Sequence, residues 1–183
     1  IYVLGLEEKY PTAVKTASII PPIALSLGLL ALVYDLTHPL YTWQLYTTFR
    51  IESPMSWGAW VLLITTPFSF LWTFSFYRDT FSKIEAKLNL FNKLKFLNPL
   101  EKFIIKNRKN IAYALIPLAL ILGVYTGILL SAFNARPLWN NAILGPLFLV
   151  SGLSTGAAAI ILLSKTKAEK HLFGKIDLGL III

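Results

Sequence analysis

The residues best suited to chemistry lie in one stretch, DLTHPLYTWQLYTTFRIESPMSW, at residues 35–57. It holds His38, one of two histidines in the protein, and two of the nine acidic residues. An imidazole carries an N–H, so His38 is a candidate hydrogen-bond donor to a quinone carbonyl, with Trp43 and Tyr46 beside it. The simpler interpretation is that this histidine and these aromatic rings are polar residues of a membrane interface.

A second stretch, YTGILLSAFNARPLWN at residues 125–140, is expected to meet the first. Tyr125 lies about two turns inside an apolar segment, where its hydroxyl needs either a bound ligand or a neighbouring carbonyl. Asp35, Arg50 and Arg136 stand near the ends of apolar segments, and an arginine fork suits a carboxylate. Asp35 therefore either pairs with an arginine and staples the connections or handles protons, and a partly buried carboxylate can do both.

Long apolar segments must position these residues, and they indicate an integral membrane protein. The protein has 183 residues, of which 56% are hydrophobic and 14% are charged, well below the quarter that is usual in soluble domains. Apolar runs at about 12–34, 57–77, 111–133 and 142–164 are each long enough to cross a bilayer. We therefore predict one membrane domain over residues 1–183, an all-α, up-down transmembrane four-helix bundle.

Small residues and prolines predict how these spans pack. Pro21 and Pro22 fall inside the first span, where a kink is tolerated if neighbours satisfy the freed carbonyls. The third span carries glycines at positions 123 and 127, and the fourth carries them at positions 152 and 156. Because small residues let helices approach closely in lipid, we expect the two glycine faces to pack together, the alternative being glycines unrelated to contact.

The connection at residues 78–110 is basic, with nine lysines and arginines against three acidic residues. Apolar residues recur there at three- and four-residue spacing, beginning at Phe81 and Ile84. This pattern predicts an amphipathic helix on a membrane surface, ended by Asn98 and Pro99. A solvated connecting loop is the alternative.

The basic residues also predict the orientation in a plasma membrane. Fifteen of the seventeen lie near the two ends of the sequence or in residues 78–110, and only Arg50 and Arg136 lie on the other side. The positive-inside rule then places residues 78–110 in the cytoplasm, and residues 35–56 and 134–141 outside. The net charge of +8 is accordingly explained without a nucleic-acid partner. Residues from about 176 onward are expected to start a further span, and the protein to be a fragment of a larger subunit.

Several kinds of site are excluded or disfavoured. There is no cysteine, so this protein holds no disulfide, thiolate metal site or cysteine-ligated iron–sulfur cluster. A membrane haem needs axial histidines inside helices, whereas His38 is expected at a helix end and His171 on the opposite side. We therefore expect no haem and no metal in this protein.

Four motifs resemble one known family. DLTHP at 35–39 and LYTTFRIESPMSWGAWVL at 45–62 are similar to the signature of the NrfD/polysulfide reductase membrane-subunit family. YTGILLSAFNARPLWN at 125–140 and LFLVSGLSTGAAAIIL at 147–162 resemble its later spans. The similarity covers roughly residues 13–164, with the four motifs in the expected order.

The resemblance implies a subunit of eight or more spans, arranged as four-helix bundles, with no redox centre of its own. Such a subunit binds menaquinone or ubiquinone near the outer face. It exchanges electrons with a four-cluster iron–sulfur subunit, usually linked to a molybdopterin catalytic subunit. The motif positions carried over are Asp35, His38, Arg50, Tyr125 and Arg136. The family usually begins with another span that contributes to the quinone pocket, and none is visible before Thr12.

Together, these patterns predict a membrane anchor that exchanges electrons with quinone and handles the coupled protons at the outer face. The alternative is a proton-conducting or purely structural subunit without a quinone site. A polar file through Thr65, Thr66, Ser69 and Ser75, with Asp35 leading into it, would favour that alternative.

Overall fold

A computed structural model describes residues 1–36, 38–48, 50–88, 97–132 and 141–182. Every regular element in these ranges is helical, which confirms the all-α prediction. The seven α-helices are α1 (Ile20–Asp35), α2 (Gln44–Thr47), α3 (Pro54–Leu88), α4 (Leu97–Lys106), α5 (Arg108–Ser131), α6 (Leu144–Leu163) and α7 (Lys167–Ile182). Short π and 3-10 turns precede α1, and a 3-10 turn lies between α1 and α2.

Four helical segments are long and apolar enough to cross a membrane: Thr12–Asp35, Pro54–Tyr77, Arg108–Ser131 and Leu144–Leu163. Large apolar side chains on them face outward, such as Leu30, Ile121 and Leu162. Such surfaces suit a lipid environment, because the lipid tails are as apolar as these side chains. α1 packs against α3, α3 against α5, α5 against α6, and α6 against α7.

The first span changes its helical form before its two prolines. It runs as a π-helix over Thr12–Thr16 and a 3-10 helix over Ala17–Ile19, and α1 then begins with the prolines in its first turn. Pro22 has no N–H to donate to the carbonyl of Ser18. The Thr73 hydroxyl of α3 donates to that carbonyl instead, at 2.7 Å. A neighbouring helix therefore satisfies a carbonyl that a proline frees, as the sequence led us to expect.

The expected pairing of two glycine faces is correct on α5 but wrong on α6. A Cβ on Gly127 would overlap the backbone of Leu144 and Gly145, and one on Gly123 would lie 2.8 Å from the Leu149 side chain. By contrast, the glycines at 152 and 156 have nothing within 4 Å of an added Cβ. α5 and α6 therefore meet closely near the start of α6 and leave the later part of its glycine face uncovered.

A helix follows Tyr77, where the basic connection predicts one, and a kink divides it from the membrane span before it. α3 runs on to Leu88 across a kink at Tyr77, where φ is −107° and ψ is 18°. The expected end at Asn98 and Pro99 is wrong, because both residues lie in the first turn of α4. A proline fits the first turn, where its missing N–H would have had no partner within the helix.

The last helix passes through residue 176, where a further membrane span is expected to start, and that span stays a prediction. α7 starts at Lys167 and includes Lys170 and Lys175 before its apolar run. Glu169 in its first turn is fully buried. Its carboxylate accepts hydrogen bonds from the Thr12 N–H at 2.8 Å, the Ala13 N–H at 3.4 Å and the Ser164 hydroxyl at 2.9 Å. Burial alone would raise the pKa of Glu169, but these hydrogen bonds outweigh it and lower that pKa.

Candidate functional site

Residues 35–56, which we call the first connection, run from the last residue of α1 to the first residues of α3. α1 ends at Asp35 because Leu36 is extended, with φ −69° and ψ 132°. A 3-10 turn over Pro39–Tyr41 and the short helix α2 follow. The first connection therefore contains two short helical pieces.

Ser56, a buried residue, holds the end of the first connection together. Its hydroxyl accepts a hydrogen bond from the Arg50 N–H at 3.1 Å and lies 3.5 Å from the Thr48 carbonyl, to which it donates. The Trp57 indole N–H donates to the Ile51 carbonyl at 2.8 Å. These bonds hold Thr48, Arg50 and Ile51 against the start of α3, so the first connection is tied to the helix that follows it.

The predicted aromatic residues of the first connection lie near the surface. His38 is exposed, and its ring lies edge-on to Tyr41, with 6.2 Å between the ring centroids. Trp43 is 58% exposed and its carbonyl accepts the N–H groups of Tyr46 and Thr47 at the start of α2. Tyr46 is partly buried. The backbone therefore positions these side chains, which leaves their polar atoms and ring faces accessible to a ligand.

Tyr125 of α5 lies directly against the start of α3. A Cβ on Gly58 would overlap the ring and the hydroxyl of Tyr125. Gly58 is buried and stands two residues after Ser56. The structure thus brings Tyr125 to the end of the first connection, as the two sequence stretches predict. Among the described residues, the Tyr125 hydroxyl has no hydrogen-bond partner.

The charged residues predicted for the site are only partly placed. Asp35 and Arg50 are both exposed, and no ion pair joins them in the part of the protein that the structure describes. Arg136, like the rest of residues 133–140, lies outside the described residues. The pairing of Asp35 with Arg50 is therefore not formed, and a pairing with Arg136 stays a prediction.

A row of hydroxyl groups continues down α3 below Gly58. Thr65, Ser69 and Thr73 follow at seven, eleven and fifteen residues from Gly58, so they share one face of the helix. The side-chain oxygens of Thr65, Thr66 and Ser69 are buried without a hydrogen-bond partner among the described residues. A buried hydroxyl without a partner costs free energy, so a ligand or water would be stabilised against this row.

Sequence reasoning named Tyr125 and the α3 hydroxyls but missed two residues that position the site. Gly58 stands in the motif SPMSWG, and a glycine after a tryptophan gives no sign of which ring will cover it. Ser56 belongs to no motif for binding or catalysis, yet it holds the preceding turn. Within the described residues there is no group of three or more histidine, cysteine, aspartate or glutamate side chains that could hold a metal ion.

Comparison with known proteins identifies the family. The family model described as "Polysulphide reductase, NrfD" matches residues 3–182. The chain belongs to the NrfD family. It is therefore an integral membrane protein, and the predicted family and fold class are both confirmed.

Three curated relatives show the same similarity. The sequence is 33% identical over 163 residues to "Protein NrfD homolog" of Haemophilus influenzae, covering 86% of this protein and 50% of the relative. It is 34% identical over 156 residues to "Protein NrfD" of Escherichia coli, covering 82% and 47%. It is 33% identical over 150 residues to one of the polysulfide reductase chains of Wolinella succinogenes, covering 82% and 45%. The sequence thus spans about half the length of these relatives, and no solved structure matches it.

Proposed function

We propose that this NrfD-family protein is the quinone-side membrane subunit of a respiratory oxidoreductase complex. The observation that carries the proposal is the Tyr125 hydroxyl, which lies over Gly58 at the end of the first connection without a partner among the described residues. The proposal is further supported by the Wolinella succinogenes relative, since its name makes it one of the chains of a reductase.

The residues at this end of the bundle fit a quinone. A quinone presents two carbonyl oxygens and a flat ring, and the Tyr125 hydroxyl and the His38 imidazole are hydrogen-bond donors for such oxygens. The exposed indole of Trp43 and the ring of Tyr46 offer apolar faces to a flat ligand. When bound as quinol, the ligand supplies two electrons and two protons. The Asp35 carboxylate would accept those protons, and Arg50 and Arg136, which stay protonated, would pair with that carboxylate.

The rest of the complex follows from this role. The subunit exchanges electrons with an adjacent four-cluster iron–sulfur subunit and, through it, with a molybdopterin catalytic subunit of the sulfur or polysulfide reductase type. The membrane is the plasma membrane, with residues 35–56 and 134–141 on the outer side, because fifteen basic residues lie at the opposite end. The quinone is menaquinone or ubiquinone.

Removing the Tyr125 hydroxyl tests the proposed site. We expect Tyr125→Phe, in the complete complex, to lower quinol-linked turnover about tenfold or more, because one hydrogen bond to a polar ligand contributes about 1–3 kcal/mol. His38→Ala should lower it as well, while the complex still assembles. The measurement is steady-state quinol oxidation with a soluble electron acceptor, together with the affinity for a quinone analogue.

Tyr113→Phe is the matched control, since Tyr113 is an exposed tyrosine twelve residues earlier on the same helix. It should leave turnover unchanged. Normal turnover and normal analogue affinity in both Tyr125→Phe and His38→Ala would refute the assignment of these residues. Extraction of the purified complex should also yield bound quinone, and its consistent absence would favour the second function below.

A second function, proton conduction, is favoured by the hydroxyl row on α3. The row begins two turns below Gly58 and ends at Thr73, whose hydroxyl bonds the first span. The side-chain oxygens of Thr65 and Ser69 in this row, and of Thr66 beside it, have no partner among the described residues, so a file of water would satisfy them. Such a file would carry protons between the Tyr125 end and the interior of the bundle.

The combined change Thr65→Val and Ser69→Ala tests proton conduction. If the row carries protons, proton uptake by vesicles containing the complex should fall several-fold while quinol oxidation without a membrane potential stays near normal. Thr155→Val is the control, because the Thr155 hydroxyl is exposed and bonds only the Ser151 carbonyl of its own helix, at 2.8 Å. Unchanged proton uptake in the double variant would rule out this path.

A further inference from the structure

A second apolar site lies far from Tyr125, between the first span, α6 and α7. A cleft of about 540 Å³ is bounded there by Ala17 and Trp72 on one side and by Gly152, Gly156 and Phe173 on the other. This volume falls within the range of about 300–1,000 Å³ that small-molecule sites occupy. None of the residues predicted for the quinone site borders it.

The cleft exists because α5 and the first span leave part of α6 uncovered. α5 meets α6 near Leu144 and Leu149, whereas the glycines at 152 and 156 have no atom within 4 Å of an added Cβ. Across the cleft, the first span is still in its 3-10 turn and α1 is only beginning. Small residues on α6 therefore border a slot open to a flexible hydrocarbon tail.

The lining of the cleft suits hydrocarbon. Ser18 and Trp72, through its indole N–H, are the residues with polar side-chain atoms among those that border it in the described part of the protein. The Ser18 hydroxyl already donates to the Lys15 carbonyl at 2.6 Å, and its carbonyl accepts from Thr73. Neither of these polar groups would lose a water partner when an acyl tail enters, so their desolvation adds no cost.

One end of the cleft carries unpaired positive charge. Lys167 and Lys170 at the start of α7, and Lys165 just before it, are exposed, and none of them forms an ion pair with a described residue. Lys170 stands one turn before Phe173, so the basic end and the apolar lining share one side of α7. The nearby carboxylate of Glu169 is buried and is engaged by Thr12, Ala13 and Ser164.

We propose that this cleft binds an anionic phospholipid, with one acyl tail against Gly152 and Gly156 and its phosphate against Lys167 and Lys170. Charge complementarity favours an anionic headgroup, because each lysine near a membrane surface contributes about 1 kcal/mol to the attraction for anionic lipids. Apolar burial decides the acyl tail, since the lining offers no free hydroxyl or charge to a polar ligand. This site does not depend on the proposed quinone function.

The experiment compares two lipids on the detergent-purified complex with all its subunits. Native mass spectrometry should show phosphatidylglycerol retained on the membrane subunit and phosphatidylcholine retained weakly. Lys167→Gln with Lys170→Gln should weaken phosphatidylglycerol binding roughly tenfold. The control Lys106→Gln with Lys109→Gln, also exposed lysines, should have no effect on this site.

Filling the cleft tests the acyl tail separately. Gly156→Phe should remove the bound lipid, whereas Gly28→Phe should not, because Gly28 is an open helical glycine that does not border the cleft. Equal retention of the two lipids, or unchanged lipid in Gly156→Phe, would overturn the proposal. So would finding an isoprenoid tail or a polypeptide segment in the cleft, by mass or by crosslinking from a photoreactive residue at position 153.

Discussion

The residue that most directly determines the candidate site has no side chain. Gly58 allows the ring of Tyr125 to lie on the backbone of α3, where any Cβ would overlap it. Ser56, two residues earlier, fixes the turn that brings the first connection to the same place. Gly58 and Ser56 are not proposed to contact the ligand. The site depends on them because they determine the position of the Tyr125 hydroxyl.

We expect Gly58→Ala to displace the Tyr125 ring and to lower quinol-linked turnover about as much as Tyr125→Phe does. The two changes should not add in the double variant, because both act on the same hydroxyl. Gly28→Ala is the control, since nothing lies within 4 Å of its added Cβ. Additive losses of turnover would show that Gly58 acts on something other than Tyr125.

At the scale of elements, the first span shows how a proline pair is accommodated in a membrane helix. The segment uses a π turn and a 3-10 turn before α1, and a second helix supplies the missing donor to the Ser18 carbonyl. Lipid offers no water to take that place, so the partner must come from protein. The bond from Thr73 thereby couples α3 to the first span and fixes one wall of the lipid cleft.

Thr73→Val should destabilise the protein by about 1–3 kcal/mol, because it leaves a buried carbonyl without a donor while keeping the side-chain volume. The measurement is the midpoint of thermal unfolding in detergent. Thr126→Val is the matched control, since the Thr126 hydroxyl is exposed and bonds only the Gly123 carbonyl of its own helix. A midpoint shift no larger than that of the control would contradict the role of Thr73.

At the scale of the whole molecule, Glu169 joins the start of the first span to the start of the last helix. The two partners are separated by 157 residues in the sequence, and the carboxylate is fully buried. The hydrogen bonds lower the pKa of Glu169 in the folded protein. They therefore stabilise the fold fully at any pH above the pKa that Glu169 has in the unfolded protein. This stabilisation is lost as the pH falls through the lower pKa that Glu169 has in the folded protein.

Glu169→Gln should therefore lower the stability at neutral pH. The amide keeps only one of the two acceptor oxygens, and its polar group is still buried away from water. Thermal unfolding in detergent should show this loss, and it should shrink as the pH is lowered through the acidic range. Glu52→Gln serves as the control, since Glu52 is exposed at the other end of the bundle. An equal loss at every pH would show that the charge of Glu169 is not what stabilises the contact.

The sequence by itself determined the class, the family and the approximate spans. Apolar runs of about twenty residues have few alternatives to crossing a bilayer, and the motifs from DLTHP to LFLVSGLSTG identify the NrfD family. It also predicted that Tyr125 would meet the first connection. These results depend on local composition and order, which a sequence displays directly.

Only the tertiary structure decided which residues touch. The glycines at 152 and 156 share one face with Gly145, yet only Gly145 lies against α5, because the separation of the helices changes along their length. Glu169 stands in the sequence as one acid in a basic segment, and its burial depends on a partner 157 residues away. The position of Tyr125 over Gly58 likewise depends on the packing of two helices. Contacts between distant segments depend on how helices cross, and no local pattern specifies that.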